Sequence, residues 1–196
     1  MSIKTANLAD RLTYIEKVVT DKNFRSNDGL GRDVPYYIFD YDAKDELIVT
    51  DYLSQFIRRI NTQNLGFSIV EYDLYELILE YLESKNYLDA CFKLEEKSGY
   101  LRLISTISNL IASVPVHPIV DTICKNTPPN SVVFITGIGK SYPIIRTHTL
   151  LSKLQQVFDM VPVVVFYPGK YTGRELQLFG TINGNNHYRA LFFPKP

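Results

Sequence analysis

Ser131-Val132-Val133-Phe134-Ile135-Thr136-Gly137-Ile138-Gly139-Lys140-Ser141-Tyr142-Pro143 is the stretch that decides the fold. Its first half is a continuous apolar run rich in β-branched residues, the pattern of a strand buried on both faces. Its second half reads as a glycine-bearing turn into a helix of about 144–157. A second buried-type strand, Val161 to Phe166, breaks into Tyr167-Pro168-Gly169-Lys170-Tyr171-Thr172-Gly173-Arg174. Two strand ends thus empty into glycine-rich loops that carry basic residues, and such ends are where open α/β sheets bind ligands.

Working outward, Leu8, Leu12, Ile15 and Val19 recur at helical spacing, so residues 3–21 read as an amphipathic helix. Val34 to Tyr41 reads as a strand with Pro35 near its start. Residues 44–62 read as a helix, Phe67 to Tyr72 as a second strand, and Asp73 is placed to cap the helix that follows. From Leu74 to about residue 127 the pattern is helical with breaks near Asn86, Gly99 and Pro115, too long for a simple crossover. It is expected to be a helical insertion. Short strands near 176–180 and 187–193, separated by Asn183-Gly184-Asn185-Asn186, read as a closing antiparallel hairpin.

The expectation is therefore an α/β fold in one domain over 1–196. It has three layers, a mostly parallel sheet of about five strands and helices on both faces. Right-handed crossovers place the loops after residues 41, 72, 136 and 166 along one edge. Asp40, Asp42 and Asp73 then lie on one side of that edge. Gly137, Gly139, Lys140, Arg146, Lys170 and Arg174 lie on the other.

With 196 residues, 45% hydrophobic and 21% charged, the composition is that of a soluble globular protein. No apolar run approaches a membrane span, and cytoplasmic residence is expected. Cys91 and Cys124 lack any CxxC spacing and read as buried thiols. His117, His148 and His187 fall in three elements without metal-ligand spacing, so no metal or cofactor is expected. The formal charge of zero hides a split. Residues 1–98 hold 12 Lys/Arg against 18 Asp/Glu, and residues 99–196 hold 9 against 3. In one domain the halves are expected to face each other. A neutral chain without a basic run makes a poor autonomous nucleic-acid binder.

Gly139-Lys140-Ser141 resembles the end of a phosphate-binding loop, but the position five residues before Gly139 is Phe134, inside the strand. The loop is too short to wrap a phosphate in backbone N–H groups. Two binding readings remain for the same edge. Lys140, Arg146, Lys170 and Arg174, with the helix start after Pro143 and the basic loops at 137–146 and 168–174, would form an anion-, nucleotide- or nucleic-acid-binding site. Alternatively, Tyr41, Tyr142, Tyr167 and Tyr171, mapped to the same loops, give with arginine the composition of a protein-docking patch. Asp40 and Asp42 suggest a metal-dependent hydrolase, but no third acid sits at a recognisable spacing. Glu95-Glu96-Lys97 reads as helix rather than as a nuclease strand.

The chain resembles the BrxB family through Val34 to Asp42, Tyr72-Asp73-Leu74-Tyr75, Thr136 to Gly139 with Tyr142, Pro143 and Arg146, and Val161-Pro162. Phe166 to Gly169, Tyr171, Gly173, Leu178-Phe179-Gly180 and Tyr188-Arg189 extend the likeness. BrxB proteins are small components of bacteriophage exclusion (BREX) antiphage systems, which also contain an ATPase, a DNA methyltransferase and the phosphatase-like protein PglZ. The resemblance implies a non-enzymatic assembly subunit acting by protein contact, foremost with PglZ. It also suggests, by analogy, a P-loop-NTPase-like topology without a functional P-loop.

Overall fold

The computed structural model describes residues 7–26, 36–183 and 190–196. Among the described residues, seven α-helices lead up to the third strand. Helix α1 (Leu8–Thr20) starts at Asn7, whose side chain accepts the Asp10 N–H at 2.9 Å. After a short helix α2 (Lys22–Arg25) come strand β1 (Tyr36–Tyr41), a 3-10 turn (Ala43–Asp45), helix α3 (Glu46–Thr62) and strand β2 (Ser68–Asp73). The expected insertion is four helices: α4 (Leu74–Ser84), α5 (Leu88–Ser98), α6 (Tyr100–Ser113) and α7 (Pro118–Asn126). Asp73 ends β2 and caps α4, its carboxylate accepting the Tyr75 and Glu76 N–H groups.

Strand β3 (Ser131–Thr136) is buried at every position, as its apolar run predicts. Helices α8 (Ile138–Ser141) and α9 (Thr147–Val157) lead to strand β4 (Val163–Tyr171). Strands β5 (Leu176–Leu178), β6 (Ile182–Asn183) and β7 (Ala190–Phe192) complete the described elements. The parallel sheet runs β2-β3-β4-β1-β7, with β5 antiparallel to β4 and β6 antiparallel to β5.

Alternation along the strands sends successive side chains to opposite faces. Tyr37, Phe39, Phe134 and Phe166 meet Leu12, Ile15, Leu53 and Phe56 of α1 and α3. Ile38, Val133, Ile135 and Val165 meet Leu77, Ile123, Leu150 and Leu154 from the insertion and α9. These are the two outer layers expected from the sequence.

Three expectations are corrected. Residues 167–171 are not a glycine-rich loop; β4 continues through them, because β5 pairs with Gly169, Lys170 and Tyr171. The missing Gly169 side chain lets the Gln177 backbone approach, and the Pro168 carbonyl still accepts the Phe179 N–H at 2.9 Å. The closing hairpin is also placed differently. Its reversal is Thr172 to Glu175, where Gly173 takes φ +89° and the Thr172 hydroxyl accepts the Glu175 N–H at 3.0 Å. Residues 176–178 therefore pair back onto β4, while 190–192 pair parallel to β1. The proposed turn residues Gly184, Asn185 and Asn186 lie outside the described residues.

The third correction concerns 137–157, read as a glycine loop followed by one helix. Gly137 takes φ +69°, and residues 138–141 form a helical turn before α9 begins at Thr147. A cis Tyr142-Pro143 bond lies between them. Arg146 thus precedes α9 rather than lying in its first turn.

Candidate binding cleft at the carboxyl edge of the sheet

The chain leaves β1 toward the β2 edge and leaves β4 toward the β7 edge, although β1 and β4 are neighbours. Their carboxyl ends therefore form a topological switch point, the crevice where open α/β sheets place ligands. A cleft of about 360 Å³ lies there, lined by Arg11, Asp40, Asp42, Gly169, Lys170 and Phe179 among others.

Three of the four charged residues lining this cleft are in ion pairs, and Lys170 is exposed without one among the described residues. Asp40 is largely buried; its Oδ1 accepts a hydrogen bond from the Arg11 guanidinium at 2.9 Å and its Oδ2 accepts the Tyr171 N–H at 3.2 Å. Arg11 is held from its other side by the Phe39 ring, 4.5 Å below it. Asp42 is exposed, caps the 3-10 turn through the Lys44 N–H and pairs with the Lys44 ammonium at 3.0 Å. That hydrogen bond, the Lys44 N–H, and the charges of Lys44 and Lys170 hold the Asp42 carboxyl below its ordinary value.

A second knot sits at the ends of β2 and β3. Lys140 donates to the Asp73 carboxylate, and the Thr136 hydroxyl donates to Glu71 at 2.7 Å. Partial burial pulls the Lys140 ammonium down, but Asp73, helped by Glu76 and Glu46, lifts it above the usual lysine range. Gly137 is required here: a Cβ at its position would overlap the Asp73 carboxylate. Gly139 packs against the Phe179 ring and Pro168, where a Cβ would lie 3.3 and 3.4 Å from them. Both glycines thus serve close packing.

The expected tyrosine patch is not an exposed surface. Tyr41, Tyr167 and Tyr171 are 6%, 3% and 5% exposed. Tyr41 donates to Glu46 at 2.7 Å, and Tyr171 donates to the Ala190 carbonyl at 2.6 Å. Burial, and for Tyr41 also the bond to Glu46, raises both phenols. Tyr142 is half-buried, edge-on to Phe179 at 6.4 Å. Aromatic residues this close to strand ends belong to the core before they belong to a surface.

Among the cations, Lys170, Arg146 and Arg174 are exposed, while Lys140 is tied to Asp73. The acidic and basic sides of the edge therefore meet at Lys140 and Asp73 instead of standing apart. Arg11, Lys44 and Glu71 join the site without any sequence signal; on α1, Arg11 is one more polar residue between apolar turns. Among the described residues, no three His, Cys, Asp or Glu side chains are gathered to hold a metal ion. No single described helix is long and apolar enough to cross a membrane, though the bent pair α6 and α7 has the length and composition together.

Fold and cleft define an α/β protein with a polar switch-point crevice whose charged groups are largely paired internally. The BrxB family model, described as "BREX protein BrxB", matches residues 70–193. A "BREX protein BrxB" of Bacillus cereus (strain H3081.97) is 41% identical over 182 residues, covering 92% of this chain and 94% of that protein. Another, from Escherichia coli O9:H4 (strain HS), is 29% identical over 184 residues, covering 92% and 88%. No solved structure matches. The chain belongs to the BrxB family and is thereby a component of a BREX system.

Proposed function

We propose that the chain is a non-enzymatic assembly subunit that holds other BREX proteins together, with PglZ its foremost partner. The observation that carries this reading is on the helical insertion. Phe92, Tyr100 and Leu101 are 63%, 61% and 69% exposed on α5 and α6, and α5 buries none of its residues. Large apolar side chains left exposed on helices that the sheet does not need to close are a feature of contact surfaces. The paired charges of the cleft support the absence of chemistry, since Asp40 and Asp73 serve α1, β4, α4 and Lys140. Within this reading the sheet is P-loop-like without a working phosphate loop, because residues 137–141 form a helical turn rather than a wrap.

Co-expression of the affinity-tagged chain with the other BREX proteins tests this. PglZ is expected in the eluate, and Phe92→Glu combined with Leu101→Glu is expected to lower its recovery at least about tenfold, a hot-spot-sized loss. Recovery of no BREX protein with the unaltered chain sinks the reading. A second reading, nucleotide or nucleic-acid binding, is favoured by Arg146 and Arg174, which are exposed and make no ion pair among the described residues. Calorimetry with ATP and with a single-stranded oligonucleotide separates the two. Saturable binding lost in Arg146→Glu would favour this second reading.

A further inference from the structure

Helices α1 and α3 lie side by side on one face of the sheet, and their outer surfaces leave a groove of about 650 Å³ between them. Its apolar lining includes Leu8, Leu47, Ile48 and Tyr52. Leu47 is 82% exposed and Ile48 57%. A leucine and an isoleucine at the opening of a cleft, beside further apolar residues, form a patch rather than scattered surface positions. The charged residues lining the groove are Asp45 and Asp51; no Lys or Arg lines it among the described residues. Leu47, Ile48, Asp51 and Tyr52 also fall on one outward stripe of α3 at helical spacing.

We propose that this groove is the docking site for an amphipathic helix of a partner protein, apolar on the face laid between α1 and α3 and basic along its flanks. Two parallel ridges with an apolar floor accept a third helix by ridges-into-grooves packing. The acids choose its charge: Asp45 and Asp51 would meet lysine or arginine favourably and would repel a helix with acidic flanks. The face is separate from the α5–α6 surface, so the chain would hold two contacts at once. This rests on the reading of the chain as an assembly subunit.

The test uses the purified full chain and two fluorescent model helices of about 18 residues, long enough for five turns. Both carry leucines at i, i+3, i+4 and i+7; one has lysine flanks and the other glutamate flanks. Anisotropy is expected to show saturable binding of the lysine helix and at least about tenfold weaker binding of the glutamate helix. Leu47→Glu with Ile48→Glu should abolish binding. Asp45→Lys with Asp51→Lys should reverse the order of the two helices. Leu47, Ile48 and Asp51 are exposed and Asp45 is half-buried, so a circular-dichroism spectrum and melting curve matching the unaltered chain establish that each variant is folded. Equal binding of the two helices, or none at millimolar concentration, overturns the proposal. Two further outcomes also overturn it. A chain starting at Asn7 that binds about tenfold more tightly would assign the groove to residues 1–6, and self-association abolished by Leu47→Glu would assign it to a second copy. None of these outcomes bears on PglZ recovery through α5 and α6, so the two readings fail separately.

Discussion

The fold resists protonation of His117: the residue is 8% exposed, its Nδ1 has no hydrogen-bond partner, and burial with the nearby Lys153 charge lowers its pKa to about 4. In the unfolded chain the imidazole titrates near its ordinary value of 6.5. Between those values the unfolded state binds more protons than the folded one, so stability rises with pH across that window. The contribution is fully present above pH 6.5 and is lost as pH falls toward 4, on the order of 2–3 kcal/mol. Urea unfolding at pH 7.5 and at pH 5 should show this loss, and His117→Leu should flatten the difference between the two. A wild-type and a variant with the same pH slope would refute the assignment. The sequence offered no hint of this, because His117 lies before Pro118 at a helix start and looks like any loop histidine.

At the scale of elements, two side-chain contacts tie pieces of the sheet edge together. Tyr171, at the end of β4, donates to the Ala190 carbonyl of β7 at 2.6 Å, and its ring lies 4.9 Å from that of Phe192. Tyr171→Phe keeps the ring and removes one hydrogen bond, so thermal or urea unfolding should register about 1 kcal/mol. Tyr171→Ala also opens a cavity and should cost about 3 kcal/mol or more. Equal losses in the two variants would mean that the hydroxyl contributes nothing. Arg11 and Asp40 join α1 to β1 while both are more than four-fifths buried. A double-mutant cycle with Arg11→Met and Asp40→Asn should give a coupling on the order of 1–3 kcal/mol, since each single change strands a partly buried charge. Additive single effects would place the pair with surface bridges of no consequence. These ties also explain where the sequence was legible. The apolar runs at 131–136 and 161–166 announced their strands, the second of which begins at Val163, and the breaks at Asn86, Gly99 and Pro115 announced the four helices of the insertion. The extension of β4 through Pro168 and Gly169 was hidden, because proline and glycine ordinarily end strands. Here a tertiary pairing with β5 overrides them.

For the whole molecule, the acidic first half and basic second half do not cancel by contact. Among the ion pairs of the described residues, only Lys140 to Asp73 joins the two halves. The halves interleave in the sheet, and at its carboxyl edge Lys140 and Lys170 of the second half stand beside Asp73 and Asp42 of the first. The carboxyl edge was readable in outline, because crossover handedness alone puts Asp40, Asp73, Gly137 and Lys170 on one rim. Which of them pair, and that the tyrosines face inward, depended on packing that no local pattern encodes. The same packing sets an order of stability. Strands β3 and β4 lie inside the sheet with helices on both faces, and Val132, Val133, Phe134, Val163, Val164 and Val165 have no exposed area. Helix α5 has no buried residue and rests mainly against α6. Amides of β3 and β4 should therefore exchange with solvent only on global unfolding, at a free energy of about 5–15 kcal/mol. Amides of α5 should exchange through local opening, at least about a thousandfold faster. Hydrogen exchange read by mass spectrometry on the isolated chain checks this order. If α5 then gains protection when PglZ is added while β3 and β4 do not change, the insertion is the contact surface; α5 as protected as β3 in the isolated chain would overturn the ranking.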